Sequence, residues 1–109
     1  MISLDSIQMN VIKTAGNGVV NQDTLFTFTQ KDQIISAKYA GGGVVNGYLA
    51  GRMINGQLHF KYAQQHLDGQ IAGGHSICEV NLLDSGKYQL IENFDWEQGK
   101  GQNIFMQID

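Results

Sequence analysis

Apolar and polar residues alternate one by one over most of the chain, which is the pattern of half-buried β-strands. The alternation is clearest near the end of the chain, where one face carries Leu90, Glu92, Phe94 and Trp96. Seven further segments show the same pattern, and we predict that these residues face inward: Ile7, Met9 and Val11; Phe26 and Phe28; Ile35, Ala37 and Tyr39; Val45, Gly47, Leu49, Gly51 and Met53; Leu58, Phe60 and Tyr62; Ser76, Cys78, Val80 and Leu82; Ile104, Met106 and Ile108.

Turn-forming residues separate the eight segments. The predicted turns are residues 15–18, Lys31-Asp32, residues 41–43, Asn55-Gly56, Asp68-Gly69, residues 84–87 and residues 98–101. Asn55-Gly56 is the strongest of them, because a type I′ hairpin turn needs positive φ at both central residues. Residues 63–67 could form a single helical turn, but no helix of ten residues is expected anywhere.

Eight short antiparallel strands, each with one apolar face, can bury that face as a sandwich or as a closed barrel. Short consecutive hairpins favour up-and-down order, and closure removes the unpaired edges that this proline-free chain does little to protect. We therefore predict an all-β fold in which residues 1–109 form a single domain, an eight-stranded antiparallel up-and-down β-barrel of the calycin-like kind. The interior of such a barrel is either filled by side chains or holds one small ligand.

Composition excludes several classes of protein. The length of 109 residues suits one domain, and 7 Lys and Arg against 10 Asp and Glu give a net charge of −3. The negative net charge therefore argues against nucleic acids and anionic membrane surfaces as partners. Cys78 is the single cysteine, so an internal disulfide is impossible. The first residues lack the pattern of a signal peptide, and we expect a cytoplasmic protein.

Glu92 is the first candidate for chemistry, because the alternation directs its carboxyl group into the barrel. An unpaired carboxylate in a medium of low dielectric constant is unfavourable by several kcal/mol or takes up a proton, so hydrogen-bond donors should lie nearby. The inward-facing registers place Tyr39, Tyr62, Ser76 and Trp96 on the same interior. These five residues are the predicted ligand-binding site, while a satisfied buried network or a glutamate at the solvent-exposed rim is the structural alternative.

Other reactive residues give weaker signals. His59, His66 and His75 are too widely spaced for a pair of metal ligands on one strand, and no metal or cofactor is expected. Cys78 has no cationic neighbours or helix N-terminus to lower the pKa of its thiol, which suggests an inert buried cysteine. No pattern typical of a catalytic nucleophile occurs, so no catalytic residue is assigned.

Several strand and turn strings together resemble a known family. They are residues 39–42, residues 47–51, residues 58–62 and residues 90–96, and they are similar to short bacterial proteins labelled N-acetylglutamate synthase. That resemblance implies transfer of an acetyl group from acetyl-CoA to the amine of glutamate. The expected barrel also resembles the lipocalin-like and avidin-like architectures. Residues 70–75 are the nearest match to a turn that binds coenzyme A, but their last position departs from that pattern and a strand follows them.

Three functions remain open from the sequence. The first is binding of a small ligand in the barrel interior without catalysis, and the second is an enzyme, either with Glu92 as a general acid or base or as the acetyltransferase that the resemblance implies. The third is a filled barrel that acts as a structural or interaction protein and could form a homodimer. Its predicted association surface consists of the outer-face residues Leu25, Val44, Ile91 and Phe105.

Overall fold

A computed structural model of the chain describes residues 2–14, 19–96 and 99–108, without the side chain of Trp96. All eight predicted segments form strands, namely β1 (Gln8–Lys13), β2 (Leu25–Lys31), β3 (Ile34–Gly41), β4 (Val44–Ile54), β5 (Gln57–His66), β6 (Ile71–Leu82), β7 (Tyr88–Trp96) and β8 (Gly99–Gln107). The predicted turn at residues 15–18 lies outside the described residues.

Each strand pairs in antiparallel orientation with its neighbours in sequence, and β1 pairs with β8 to close the barrel. The predicted all-β fold is therefore confirmed as an eight-stranded up-and-down barrel, and the described residues contain no helix. It follows that none of them forms a helix able to cross a membrane. We call the end with the β3–β4, β5–β6 and β7–β8 turns the upper end and the opposite end the lower end.

The β4–β5 hairpin shows how local sequence determines the turns. Asn55 and Gly56 form its two central residues, with φ of 50° and 80°. Positive φ at both positions is the requirement of a type I′ turn, which matches the right-handed twist of the flanking strands. This turn was the one most strongly indicated by the sequence.

Apolar side chains fill the lower half of the barrel. The buried residues on the strand portions near the lower turns are Met9, Phe28, Ile35, Leu58, Cys78, Leu90 and Phe105. Leu4, from the segment before β1, is fully buried with them, and its backbone N–H donates a hydrogen bond to Gln30 Oε1 at 2.9 Å. The backbone N–H of Gln30 in turn donates to Asp5 Oδ1 at 3.0 Å. These contacts hold Leu4 in place as a plug of the lower end.

A short segment before β2 covers the upper end, and we call residues 19–24 the cap segment. The backbone N–H of Gly43 donates to the carbonyl oxygen of Val19 at 3.1 Å, and Thr24 Oγ1 donates to the carbonyl oxygen of Gly41 at 3.1 Å. Gly41 and Gly42 have positive φ, and a Cβ on either would collide with the cap segment. The glycines of the β3–β4 turn therefore have two roles: they adopt the positive φ that the turn requires, and they leave space for the cap segment to pack against the turn.

An irregularity in β4 reverses the predicted roles of two valines. The pairing of β4 with β5 shifts register between Val44 and Asn46. Val44 faces the interior and is 2% exposed, whereas Val45 is 47% exposed. The prediction that Val45 faces inward is wrong, because an extra residue changes the phase of the alternation. Val44 is for the same reason not part of the predicted association surface, although Leu25 on that surface is exposed.

The face that β8 turns inward is also opposite to the prediction. Asn103 and Phe105 are buried, whereas Ile104 and Met106 are half-buried on the outer side and Ile108 is exposed. The pairing of β8 with β7 sets this phase, since Asn103 lies opposite the inward-facing Glu92. Phe105, like Val44, is therefore not part of the predicted association surface. Ile91, the fourth residue of that surface, is half-buried.

Three strand ends differ from the sequence prediction. β5 continues to His66, so residues 63–66 belong to the strand and do not form the helical turn that the sequence allowed; pairing with β4 and β6 extends the strand through them. Leu82, which was predicted to face inward, is exposed, because it is the last residue of β6 and lies at the lower rim. Trp96 pairs with Gly99, where β8 begins, so residues 99–101 belong to the strand and not to the predicted turn, and Gln98 of that predicted turn lies outside the described residues.

Candidate ligand-binding site in the upper half of the barrel

A small cavity lies in the upper half of the barrel, beneath the cap segment. Its volume is about 30 Å³, which is room for about two water-sized groups. The wall is formed mainly by apolar and aromatic side chains, with a few polar groups among them. The lining residues are Val19, Val20, Phe26, Tyr39, Leu49, Phe60, Tyr62, Gln64, Glu92, Phe94 and Asn103.

Two hydrogen bonds hold the buried carboxyl group of Glu92 at this wall. Ser76 Oγ on β6 donates to Oε2 at 2.6 Å, and Asn103 Nδ2 on β8 donates to Oε1 at 2.9 Å. The three residues are close because β7 lies between β6 and β8 in the sheet. Each carboxyl oxygen thus has one donor from a neighbouring strand, which fixes the orientation of the group.

Burial changes the acidity of the groups around the cavity. It raises the pKa of Glu92, although the hydrogen bonds from Ser76 and Asn103 act in the opposite direction. Burial also raises the pKa of Tyr39 and of Tyr62, and the nearby charge of Glu92 adds to both shifts. Both phenols therefore stay protonated at neutral pH and can donate hydrogen bonds.

A second polar chain runs along β3 and β5 towards the upper rim. Tyr39 OH donates to Gln64 Oε1 at 2.8 Å, and Gln64 Nε2 lies 2.9 Å from His66 Nε2. Because the amide nitrogen is a donor, His66 Nε2 must accept this hydrogen bond. The hydroxyl proton of Tyr39 is thus directed at Gln64, and the hydroxyl oxygen remains an acceptor.

A glycine on β4 makes the position of Tyr39 possible. Gly47 lies directly opposite Tyr39 in the pairing of β3 with β4, and a Cβ on Gly47 would occupy the space of the tyrosine ring. The ring stacks on Phe26 with centroids 4.3 Å apart, and Phe26 meets Phe105 edge to face at 4.6 Å. This aromatic stack forms the floor between the upper cavity and the filled lower half.

The structure brings together four of the five residues predicted for the site. Tyr39, Tyr62 and Glu92 line the cavity, and Ser76 lies behind Glu92 as its hydrogen-bond donor. The backbone of Trp96 pairs with Gly74 at the upper end of β7, while its side chain is outside the described part of the structure.

Three polar residues of this region were not predicted from the sequence. Gln64 and His66 continue the inward alternation of Leu58, Phe60 and Tyr62, but the alternation was followed only to Tyr62, since residues 63–67 could also form a helical turn. Asn103 was missed because the inward face of β8 was assigned to its neighbours. Continuing the alternation of β5 to the end of the strand would have found the first two.

The remaining reactive side chains lie apart from the cavity. Burial raises the pKa of the Cys78 thiol well above its usual range, which keeps the thiol protonated. His59 and His75 face outward on β5 and β6. In the described ranges, no three histidine, cysteine or carboxylate side chains gather as a metal site would require.

Comparison with known proteins gives one family. A model of the avidin-like protein family matches residues 2–108, nearly the whole chain. No curated protein and no solved structure gave a match. The family match agrees with the avidin-like architecture expected for the barrel and gives no support to the resemblance to N-acetylglutamate synthase. With its closed eight-stranded antiparallel barrel, the chain belongs to the avidin-like protein family.

Proposed function

We propose that this protein binds a small ligand in the upper half of its barrel without converting it chemically. The avidin-like barrel is a fold typical of small-ligand-binding proteins. The observation that carries the proposal is the contrast between the two halves of the interior. Apolar side chains fill the lower half, whereas the upper half contains a cavity with oriented polar groups on an apolar wall, as ligand sites commonly do.

The size of the cavity limits what can enter it. A volume of about 30 Å³ accommodates a polar group of about two non-hydrogen atoms. A larger ligand would insert such a group and extend towards the upper rim, where the cap segment and the end of β7 lie. Tyr39, Tyr62 and Glu92 would contact the inserted group, and Ser76 would position Glu92.

The hydrogen-bond pattern supports binding better than catalysis. The Ser76 hydroxyl donates to Glu92, so its proton is directed at a carboxyl group and not at a histidine base as in nucleophilic catalysis. The thiol of Cys78 is buried and stays protonated, which makes it a poor nucleophile.

Replacing Glu92 by leucine tests the proposal. If Glu92 serves a ligand, Glu92→Leu abolishes ligand retention, because the bound polar group loses its carboxylate partner while the side-chain volume stays similar. Native mass spectrometry of the freshly purified protein, beside the same sample denatured, measures the retained mass. The control is Glu79→Leu, the same change on the exposed outer face of β6.

Equal retention by the two proteins would contradict the proposal. A purely structural role of Glu92 predicts no retained mass in either protein, whereas a loss of stability of on the order of 1–3 kcal/mol is expected under both roles, since Ser76 and Asn103 lose their acceptor.

A further inference from the structure

The cavity wall carries a carboxyl group and no positively charged side chain. All seven lysines and arginines belong to the described residues, and none of them lines the cavity. Six are exposed and Lys87 is half-buried. Glu92 makes no ion pair with any residue that the structure describes; its contacts are the neutral donors Ser76 and Asn103. A buried carboxylate without a cation is unfavourable, and a bound cation would offset that.

The polar atoms at the cavity mostly accept hydrogen bonds. An ionised carboxylate has about four lone-pair positions, and the two donors on Glu92 use half of them. The hydroxyl proton of Tyr39 is committed to Gln64, which leaves the oxygen of Tyr39 as an acceptor. The hydroxyl of Tyr62 makes no hydrogen bond within the described part of the chain, and it can either donate a hydrogen bond to a ligand or accept one from it. A group that binds beside Glu92 and the Tyr39 oxygen therefore has to donate hydrogen bonds, although the Gln64 and Asn103 amides elsewhere on the wall also carry N–H donors.

Aromatic rings supply the rest of the wall. The five that line the cavity are Phe26, Tyr39, Phe60, Tyr62 and Phe94. The faces of aromatic rings attract cations, and recognition of ammonium groups by clustered aromatic side chains is the best-known use of this interaction. A carboxylate together with several rings is a combination that favours a positive group over a neutral one of the same shape.

We propose that the group bound beside Glu92 is a small organic cation with N–H donors, of the ammonium or amidinium type. This inference rests on the proposed function, since it concerns the same cavity, and it adds the chemical class of the ligand. The N–H groups would donate to the open lone pairs of Glu92 and to the oxygen of Tyr39. The cavity has room for the two non-hydrogen atoms of a methylammonium-like group.

Three compounds of the same shape and different charge test this inference on the full chain. They are acetamidinium, acetamide and acetate, whose four non-hydrogen atoms would extend from the cavity towards the upper rim, and methylammonium is a cation with two non-hydrogen atoms that the cavity can hold. Binding is followed by NMR titration at neutral pH. We expect acetamidinium to bind at least about tenfold more tightly than acetamide, because that ratio corresponds to one favourable charge interaction. Methylammonium should bind as well, and acetate should bind most weakly.

The neutral variant Glu92→Gln separates charge from shape. It should reduce acetamidinium binding at least about tenfold and acetamide binding by a smaller factor, because the side chain keeps its size and one acceptor oxygen but loses its charge. The matched control Glu79→Gln, on the outer face of β6, should bind all probes as the wild type does. If Glu92→Gln does not fold, the comparison of acetamidinium with acetamide in the wild type still decides the question.

Failure of this inference can be told apart from failure of the proposed function. Equal or tighter binding of acetamide contradicts a cationic ligand but leaves small-ligand binding in place. Absence of binding by both cations also contradicts it, and the mass retained in the native spectrum then decides independently whether the barrel binds a ligand at all.

Discussion

Glu92 connects the stability of this barrel to pH. Its pKa is raised in the folded protein above the ordinary value of 4.5. At a pH between the unfolded and the folded pKa of Glu92, the folded chain therefore holds a proton that the unfolded chain has released. The contribution of Glu92 to the free energy of unfolding is therefore fully present below the unfolded pKa and is lost as pH rises through the folded pKa. The groups facing Glu92 that could titrate are Tyr39, Tyr62 and Cys78, and their raised pKa values keep them protonated in this range.

Urea unfolding at a series of pH values from about 4 to about 8 measures this dependence. The wild type should lose stability relative to Glu92→Gln as pH rises, because glutamine has no proton to release. A constant difference between the two proteins across the range would show that burial does not perturb Glu92.

Gly47 should tolerate no side chain while Tyr39 is present. The change Gly47→Ala places a methyl group in the space of the Tyr39 ring and should destabilise the protein by about 1–3 kcal/mol through overpacking. Thermal denaturation of Gly47→Ala, Tyr39→Leu and the double variant gives the coupling between the two positions. The methyl group should be less destabilising once the ring is gone, and additive effects would argue against the contact.

Strand pairing explains what the sequence could and could not predict at the scale of elements. Alternation alone placed Tyr39, Tyr62, Ser76 and Glu92 correctly in the interior, because the pattern is unbroken in their strands. It failed for β8, where apolar residues occupy both faces. The length of the loop between β7 and β8 would have corrected this. With an even number of loop residues, odd-numbered residues of β8 lie opposite even-numbered residues of β7, so Asn103 must face the same side of the sheet as Glu92.

Features that depend on contact between distant elements gave no sequence signal. The bulge beside Val44 arises from the pairing of β4 with β5, and no local sequence pattern indicates it. The cap segment is similar, since its residues have no alternation and are placed by the glycines of the β3–β4 turn. This is why the upper end was predicted less well than the strands.

The cap segment depends on one buried hydroxyl group. Thr24 Oγ1 donates to the carbonyl oxygen of Gly41 and accepts from the backbone N–H of Asn21 at 3.0 Å. The change Thr24→Val leaves both groups without that partner and should destabilise the protein by about 1–3 kcal/mol. Amide hydrogen exchange at Gly43, whose N–H donates to Val19, should accelerate. The control Thr27→Val on the exposed face of β2 should leave this amide protected.

At the scale of the whole molecule, the filled core and the proposed binding cavity lie in opposite halves of the barrel. Leu4 plugs the lower end and is fully buried, so Leu4→Ala should reduce the free energy of unfolding by about 2–5 kcal/mol. Binding at the upper cavity should persist at temperatures where the variant remains folded. The control Leu67→Ala changes a residue that is 73% exposed and should alter stability by less than about 0.5 kcal/mol. A parallel loss of binding in folded Leu4→Ala would mean that the two halves are not independent.

Closure of the barrel has a consequence for how the chain could be rearranged. The backbone N–H of Ile108 donates to the carbonyl oxygen of Gln8 at 2.8 Å, so the first and last strands meet as any two neighbours do. Every strand therefore pairs with two antiparallel neighbours, and the closed ring of strands has no edge strand at which it begins or ends. Linking the ends and opening the exposed Asn55-Gly56 turn would preserve each antiparallel pair, which makes this barrel a natural subject for circular permutation.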